Sequence, residues 1–225
     1  MNTCERSAMN LLGIVRECTD TIGVAISFGK DSLATLDLCC RIFPNVHGYY
    51  LFRVRDMRIV SEWTHAVEAR YNIKVNAYPH FDLVRCYVHA VLQPHWPGLE
   101  NTPRISMSDI ENIFRRDTDV DWIAYGWRRN DSFSRALIMK QSRGLDWDFR
   151  RVFPLRAFRR KEVYAYLDQH HIQRPPTLGR KEQGGLDFVP TALQWLKNHY
   201  PDDWQRWLVD FPFSEAQICN IENAA

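Results

Sequence analysis

At 225 residues, with 45% hydrophobic and 25% charged residues, the chain has ordinary globular composition and is long enough to bury a core without staples. No apolar run approaches the roughly 18 residues of a membrane span, which excludes a helical membrane protein. The net charge of +2 excludes a uniformly polybasic or polyacidic chain.

Residues 1–16 include Cys4, Glu5 and Arg6 and lack an apolar stretch ahead of a small-residue cleavage site, so no secretory leader is expected and a cytoplasmic location is. Residues 22–27 form a short β-branched apolar run ending in a glycine-containing turn, the pattern of a buried strand. Apolar residues at Leu33, Leu36, Leu38 and Ile42 predict a helix over 31–43, stopped by Pro44. Strands are predicted over 46–52, 73–78, 121–126 and 151–155, and helices over 58–71, 107–116, 132–142 and 160–170. Between 82 and about 104 a helix–loop region is broken by Pro94, Pro97 and Pro103. Alternating strands and helices predict a parallel five-stranded α/β sheet with helices on both faces. The expected division is an α/β domain over 1–174 and a C-terminal flap and helical extension over 175–225. In that extension 175–185 reads as an irregular linker, and helices follow over 190–200 and 202–208, with Trp195, Trp204 and Trp207 available for packing.

In such sheets ligands bind beyond the C-terminal strand ends where strand order reverses, and the loop after the first strand is the favoured place. That loop is Ser27, Phe28, Gly29, Lys30, Asp31 and Ser32. A tight turn running into a helix N-terminus presents free N–H groups and the positive end of the helix dipole. Gly29 is expected to supply the backbone conformation closed to other residues, Ser27 and Ser32 hydroxyls, and Lys30 a charge. The spacing is neither that of a Walker A loop nor of a dinucleotide G-x-G-x-x-G. Charge is also uneven. From 128 to 161 nine Arg and two Lys face three Asp, a local surplus of eight positive charges that leaves the remainder of the chain acidic. This points to an anionic ligand or nucleic acid at one face.

Ser27-Phe-Gly-Lys-Asp-Ser32 after a strand resembles the PP-loop of the adenine nucleotide α-hydrolase superfamily, usually S-G-G-x-D-S. Phe28 in place of the first glycine is similar to the phosphoadenosine phosphosulfate (PAPS) reductase-like branch. Gly126-Trp-Arg-Arg-Asn-Asp-Ser-Phe-Ser-Arg135 resembles that branch's G-x-R-x-x-[DE]-S-x-x-R segment. Phe153-Pro-Leu-Arg156 followed by Arg160-Lys-Glu-Val-Tyr-Ala-Tyr-Leu167 resembles its P-[IL]-x-x-W and E-x-V-x-x-Y-[IL] segments. The resemblance implies that the 27–32 loop holds the phosphates of ATP or PAPS, with Mg2+ accompanying the nucleotide. It implies that Gly126, Arg128 and Arg135 line the opposite wall, and that Lys30, Asp31, Arg128 and Arg135 act in catalysis. Asp131 is read as orienting Arg128, as receiving a substrate amine, or as a helix N-cap. Arg53, Arg55 and Arg160 are candidates for an anionic substrate.

The pattern departs from PAPS reductases in three places. Cys219 stands without their neighbouring glycine and histidine. Cys39-Cys40 has no C-x-x-C partner and reads as packing thiols. Phe52-Arg-Val-Arg-Asp-Met57 replaces their D-T-G. The tail over 179–213 resembles uncharacterised, often phage-encoded, members. The preferred reading is an ATP pyrophosphatase-type transferase that cleaves the α–β phosphate bond and adenylates an unidentified acceptor. The alternatives are a thiol-dependent sulfonucleotide reductase using Cys219, and a non-catalytic accessory protein binding nucleotide or nucleic acid, with Trp147, Phe149 and Phe158 among its basic residues. His170-His171 reads as surface or capping residues, no metal site is expected, and a homo-oligomer is left open.

Overall fold

The computed structural model describes residues 3–174, 176–179 and 186–222, the last three by backbone alone. In chain order the elements are α1 (Thr3–Arg16), β1 (Thr21–Ile26), α2 (Lys30–Cys40), β2 (Asn45–Phe52), α3 (Arg58–Tyr71), β3 (Lys74–Pro79), α4 (Leu83–Val88), α5 (Met107–Thr118) and β4 (Trp122–Ala124). Then follow α6 (Phe133–Ser142), β5 (Leu145–Asp146), β6 (Arg151–Val152), a 3-10 turn (Pro154–Ala157), α7 (Arg160–Gln169), α8 (Pro190–His199), α9 (Pro201–Asp210) and α10 (Ser214–Glu222). Residues 175 and 180–185 of the expected linker, Gly184 and Gly185 among them, lie outside the described residues.

The strands form one sheet in the order β3-β2-β1-β4-β6-β5. β1 pairs in parallel with β2 and with β4, and β4 with β6. The expected parallel α/β sheet is present and carries a sixth strand, β5, antiparallel to β6 at the edge. A two-residue strand has no periodicity to read, and the chain enters it through Arg143 and Gly144, both at positive φ. The strand expected over 151–155 ends at Val152. Pro154 opens the 3-10 turn there and has no N–H to extend a ladder. No element is expected from sequence before residue 22, yet α1 stands there, with Ala8, Leu11, Leu12 and Val15 on its buried face at helical spacing.

The chain forms two compact units. The first comprises Met1–Tyr50, Val67–Asn76 and Ile113–Pro175; the second comprises Leu51–Ala66, Ala77–Asn112 and Pro176–Ala225. In the first, Ile22, Val24 and Ile26 of β1, Leu33, Leu36 and Leu38 of α2, and Ile123 and Ala124 of β4 are buried. Beyond Thr21 at its start, β1 is apolar, as a strand central in the sheet requires. Beneath α2 lies a polar network. The buried Asp37 carboxylate accepts from the hydroxyls of Tyr166 at 2.5 Å and Tyr71 at 3.1 Å. Burial, with Asp37 close by, holds both phenols above their usual range.

The second unit has its own core. Val54, Met57, Ile59 and Cys86 are buried with Leu193, Leu196, Trp204, Trp207 and Phe211 of the C-terminal helices. Asp203, in the first turn of α9, accepts from the backbone N–H groups of Arg58 at 2.7 Å and Ile59 at 2.8 Å. Those are helix-start donors that α3 cannot satisfy itself. The buried Trp207 indole donates to Ser214 Oγ at 2.9 Å, which removes the cost of burying its N–H.

Candidate functional site

Strand order reverses around β1, which has β2 on one side and β4 on the other. The register Ile22–Trp122, Gly23–Ile123 and Val24–Ala124 runs the two strands side by side in the same direction. Their C-terminal ends therefore deliver the 27–32 loop and the 126–135 segment to the same edge of the sheet, within the first unit.

The loop enters α2 at Gly29, which has no side-chain cap. The N–H groups of Lys30, Asp31 and Ser32 have no intrahelical acceptor, as in any first turn, so they form an oriented donor set at the positive end of the helix dipole. Ser32 Oγ accepts from the Ser27 N–H at 3.2 Å and donates to the Gly29 carbonyl at 3.0 Å, closing the loop on itself. The expected role of Gly29 is corrected. Its φ of −80° is open to any residue, and the left-handed position is Phe28, at φ 55°. Phe28 holds that conformation with its ring buried 5.2 Å from the ring of Tyr50. Side-chain packing there replaces the freedom a glycine would have supplied.

The glycine that close approach requires is Gly126. A Cβ there would lie 2.8 Å from the Asp31 carbonyl carbon and oxygen and 2.9 Å from the Ser32 nitrogen. The segment after β4 thus packs its backbone on the first turn of α2.

Arg128 is the hub of the charges. Its Nε lies 3.1 Å from Asp31 Oδ1, and its Nη2 donates to Asp131 Oδ1 at 2.7 Å. Asp131 Oδ2 also accepts from the Arg128 backbone N–H at 2.9 Å and from Arg135 Nη1 at 2.8 Å. Asp31 Oδ2 accepts a hydrogen bond from Lys30 Nζ at 2.8 Å, and that ammonium lies 6.0 Å from the Tyr164 ring centre. Lys30 and Arg128 are both buried. The row Lys30, Asp31, Arg128, Asp131, Arg135 thus alternates three cations with two carboxylates beside the uncapped helix start. Each carboxylate fixes a cation that would otherwise sample many rotamers. Asp131 holds Arg128, and the N-cap of α6 is Ser132 and not Asp131: Ser132 Oγ accepts from the Arg135 N–H at 3.2 Å.

Three supporting residues escape sequence reasoning. Trp127 carries the Arg135 guanidinium 5.0 Å from its ring centre. The Tyr49 and Tyr125 hydroxyls share a buried 2.6 Å hydrogen bond. Aromatics in or next to strands read as core, so none of the three leaves a distinct signal. Arg160 is exposed in the first turn of α7. Arg53 and Arg55 belong to the second unit. Arg53 Nη2 lies 3.3 Å from His80 Nε2, and its guanidinium 5.5 Å from the Phe188 ring centre; Arg55 lies over Phe52.

The thiols are not set up for chemistry in α2. Burial, with Cys40 and Asp37 near, holds the Cys39 thiol well above the usual range, and burial pushes Cys40 up to about 12. Cys219 is exposed on α10. No group of His, Cys, Asp and Glu among the described residues is arranged to hold a metal ion, and no helix among them is long and apolar enough to cross a membrane.

The fold is similar to that of phosphoadenylyl-sulfate (PAPS) reductase from Candida auris, solved as a phosphate complex. The TM-score is 0.51 at 14% identity, covering 80% of this chain and 88% of that one. The NH3-dependent NAD synthetase of Campylobacter jejuni subsp. jejuni, in complex with nitrate, has a TM-score of 0.49 at 10% identity, over 98% of this chain and 95% of that one. No curated protein matches the sequence significantly. Residues 21–181, well over half the chain and including both the 27–32 loop and the 126–135 segment, match the model of the phosphoadenosine phosphosulfate reductase domain. The chain belongs to the phosphoadenosine phosphosulfate reductase domain family.

Proposed function

We propose that the chain binds an adenine nucleotide at the 27–32 loop and cleaves the α–β phosphate bond of ATP, adenylating an acceptor and releasing pyrophosphate. The observation that carries this reading is Arg128, buried and held by Asp31 and Asp131 beside the uncapped start of α2. An acceptor oxygen would attack the α-phosphorus, the bond to the bridging oxygen would break, and the acceptor's proton would pass to solvent. Charge then grows on the leaving pyrophosphate. The α2 N–H groups, Lys30, Arg128 and Arg135 would meet it in fixed positions, the arrangement that contributes most to phosphoryl-type transfer. Mg2+ would arrive as part of the nucleotide substrate. Family membership supports nucleotide binding and does not choose among reactions. Acceptor-dependent exchange of labelled pyrophosphate into ATP tests the proposal. Exchange that is lost in Arg128→Ala is expected, and no exchange with any of a panel of nucleoside, amine and carboxylate acceptors would sink it.

A second reading rests on the exposed Cys219, through which a sulfonucleotide would be reduced. Reduction of PAPS by thioredoxin that disappears in Cys219→Ser would select it over adenylation.

A further inference from the structure

Arg128 and Arg129 are neighbours with separate surroundings. Arg128 joins the carboxylates described above. Arg129 lines a cleft of about 810 Å³ in the first unit together with Lys140, Arg143, Arg156 and Arg159. Asn130, Ala136, Met139 and Ala157 complete its walls, so five cations and no carboxylate face this space. The cleft is held by the backbone. The Arg129 N–H donates to the Arg156 carbonyl at 3.4 Å, and the Arg156 guanidinium donates to the Arg143 carbonyl at the end of α6. Bringing five like charges together costs energy in the absence of a counter-charge. One phosphate group would engage only two or three of them.

Helix α6, which supplies part of the cleft wall, adds a second feature. Phe133, Leu137 and Lys140 follow one another at i, i+4 and i+7 on α6, so an apolar strip leads to the cleft's lysine. Phe133 is 87% exposed and Leu137 45% exposed. An aromatic ring left that open one helical turn from the cleft-lining Ala136, in a stretch rich in cations, is the combination that holds single strands, with backbone phosphates on the cations and a base on the ring.

We infer that this cleft binds the sugar–phosphate backbone of a single-stranded nucleic acid, with a base stacked on Phe133. The inference does not depend on the reaction proposed for the nucleotide site. The test uses the full chain and a fluorescein-labelled oligothymidylate of about 12 nucleotides, within the site sizes such grooves cover, followed by fluorescence anisotropy over a salt series. Five phosphate contacts predict a slope of log K against log salt near −3.5, at about −0.7 per contact. The K140E/R143E double variant should bind at least about tenfold more weakly, with the slope reduced by about 1.4. Phe133→Ala should weaken binding roughly fivefold or more, the loss of one stacked base, and a duplex of the same length should bind less tightly than the single strand. Circular dichroism melting confirms that each variant folds. Absence of binding at low salt, unchanged affinity in the double variant, or equal affinity for duplex with no effect of Phe133→Ala would each overturn the inference.

Discussion

Arg128 Nε lies 3.1 Å from Asp31 Oδ1, joining the segment after β4 to the first turn of α2 through an ion pair whose guanidinium is buried. Its other arm reaches Asp131, so removing the guanidinium takes away the cation that bridges the two carboxylates and leaves each with one other partner, Lys30 for Asp31 and Arg135 for Asp131. Arg128→Ala should lower turnover by roughly 10²-fold or more, the cost of one pre-positioned donor to a developing charge. Arg128→Lys should not rescue it, since an ammonium cannot span both carboxylates. Single-turnover rates at saturating nucleotide measure this. Wild-type rates in either variant would remove Arg128 from the site.

Gly126→Ala should damage the same place through the backbone. The added methyl would lie under 3 Å from the Asp31 carbonyl and the Ser32 nitrogen, and neither can rotate away as a side-chain end can. A loss of about 1–3 kcal/mol is expected, the usual cost of overpacking, with nucleotide affinity falling as the helix start is displaced. Gly29→Ala is the control. Its Cβ would meet only Ser27 Oγ at 3.5 Å, an ordinary contact, and its φ is ordinary. Urea melts of the two variants should therefore differ, and equal stability would contradict this account.

Asp203 closes the start of α3 from α9. Asp203→Ala leaves two helix-start N–H groups unsatisfied and should cost about 1–2 kcal/mol. Asp203→Asn, which keeps one acceptor oxygen, should recover part of that loss. Thermal melts read it out, and an unchanged Tm in Asp203→Ala would count against the cap.

Stability should fall as the solution is acidified, partly through His80. Burial, assisted by the Arg53 guanidinium, lowers its pKa from 6.5 to about 4. Between those values the unfolded chain takes up a proton that the folded protein refuses, so stability is full above about pH 6.5 and declines as pH drops toward 4. His80→Gln should remove part of that slope without altering the decline below pH 4 that carboxylates produce. Urea midpoints across the range are the measurement, and an identical slope in the variant would contradict a neutral buried imidazole.

Thiol labelling should separate the cysteines. Iodoacetamide at pH 8 should modify the exposed Cys18 and Cys219 first and leave Cys39 and Cys40 unmodified in the native protein. Early labelling of the α2 pair, read by peptide mass spectrometry, would reopen a redox role for it.

The local chemistry of the chain was legible without coordinates because it depends on near neighbours. The apolar run 22–27, the turn that follows and the periodic helix after it specify a strand, a loop and a helix start. The alternation of such segments determined the parallel α/β class. What sequence could not reach were relations set by strand order and by side-chain direction. Asp31 and Arg128 meet because β1 and β4 are neighbours in the sheet, and that pairing joins residues far apart along the chain. The motif singles out Arg128 and is silent on Arg129, and only the fold gives one to the carboxylate row and the other to the cationic cleft. The steric demand for glycine falls on Gly126 and not on Gly29, because it arises where two backbone segments meet and not from either alone. In the same way, Asp203 belongs with α3 only after the C-terminal helices have packed with residues 51–66 and 77–112. Sequence determined which groups were available, and tertiary structure decided which of them face one another, since hydrogen bonds and ion pairs act over a few ångströms of space whatever the separation along the chain.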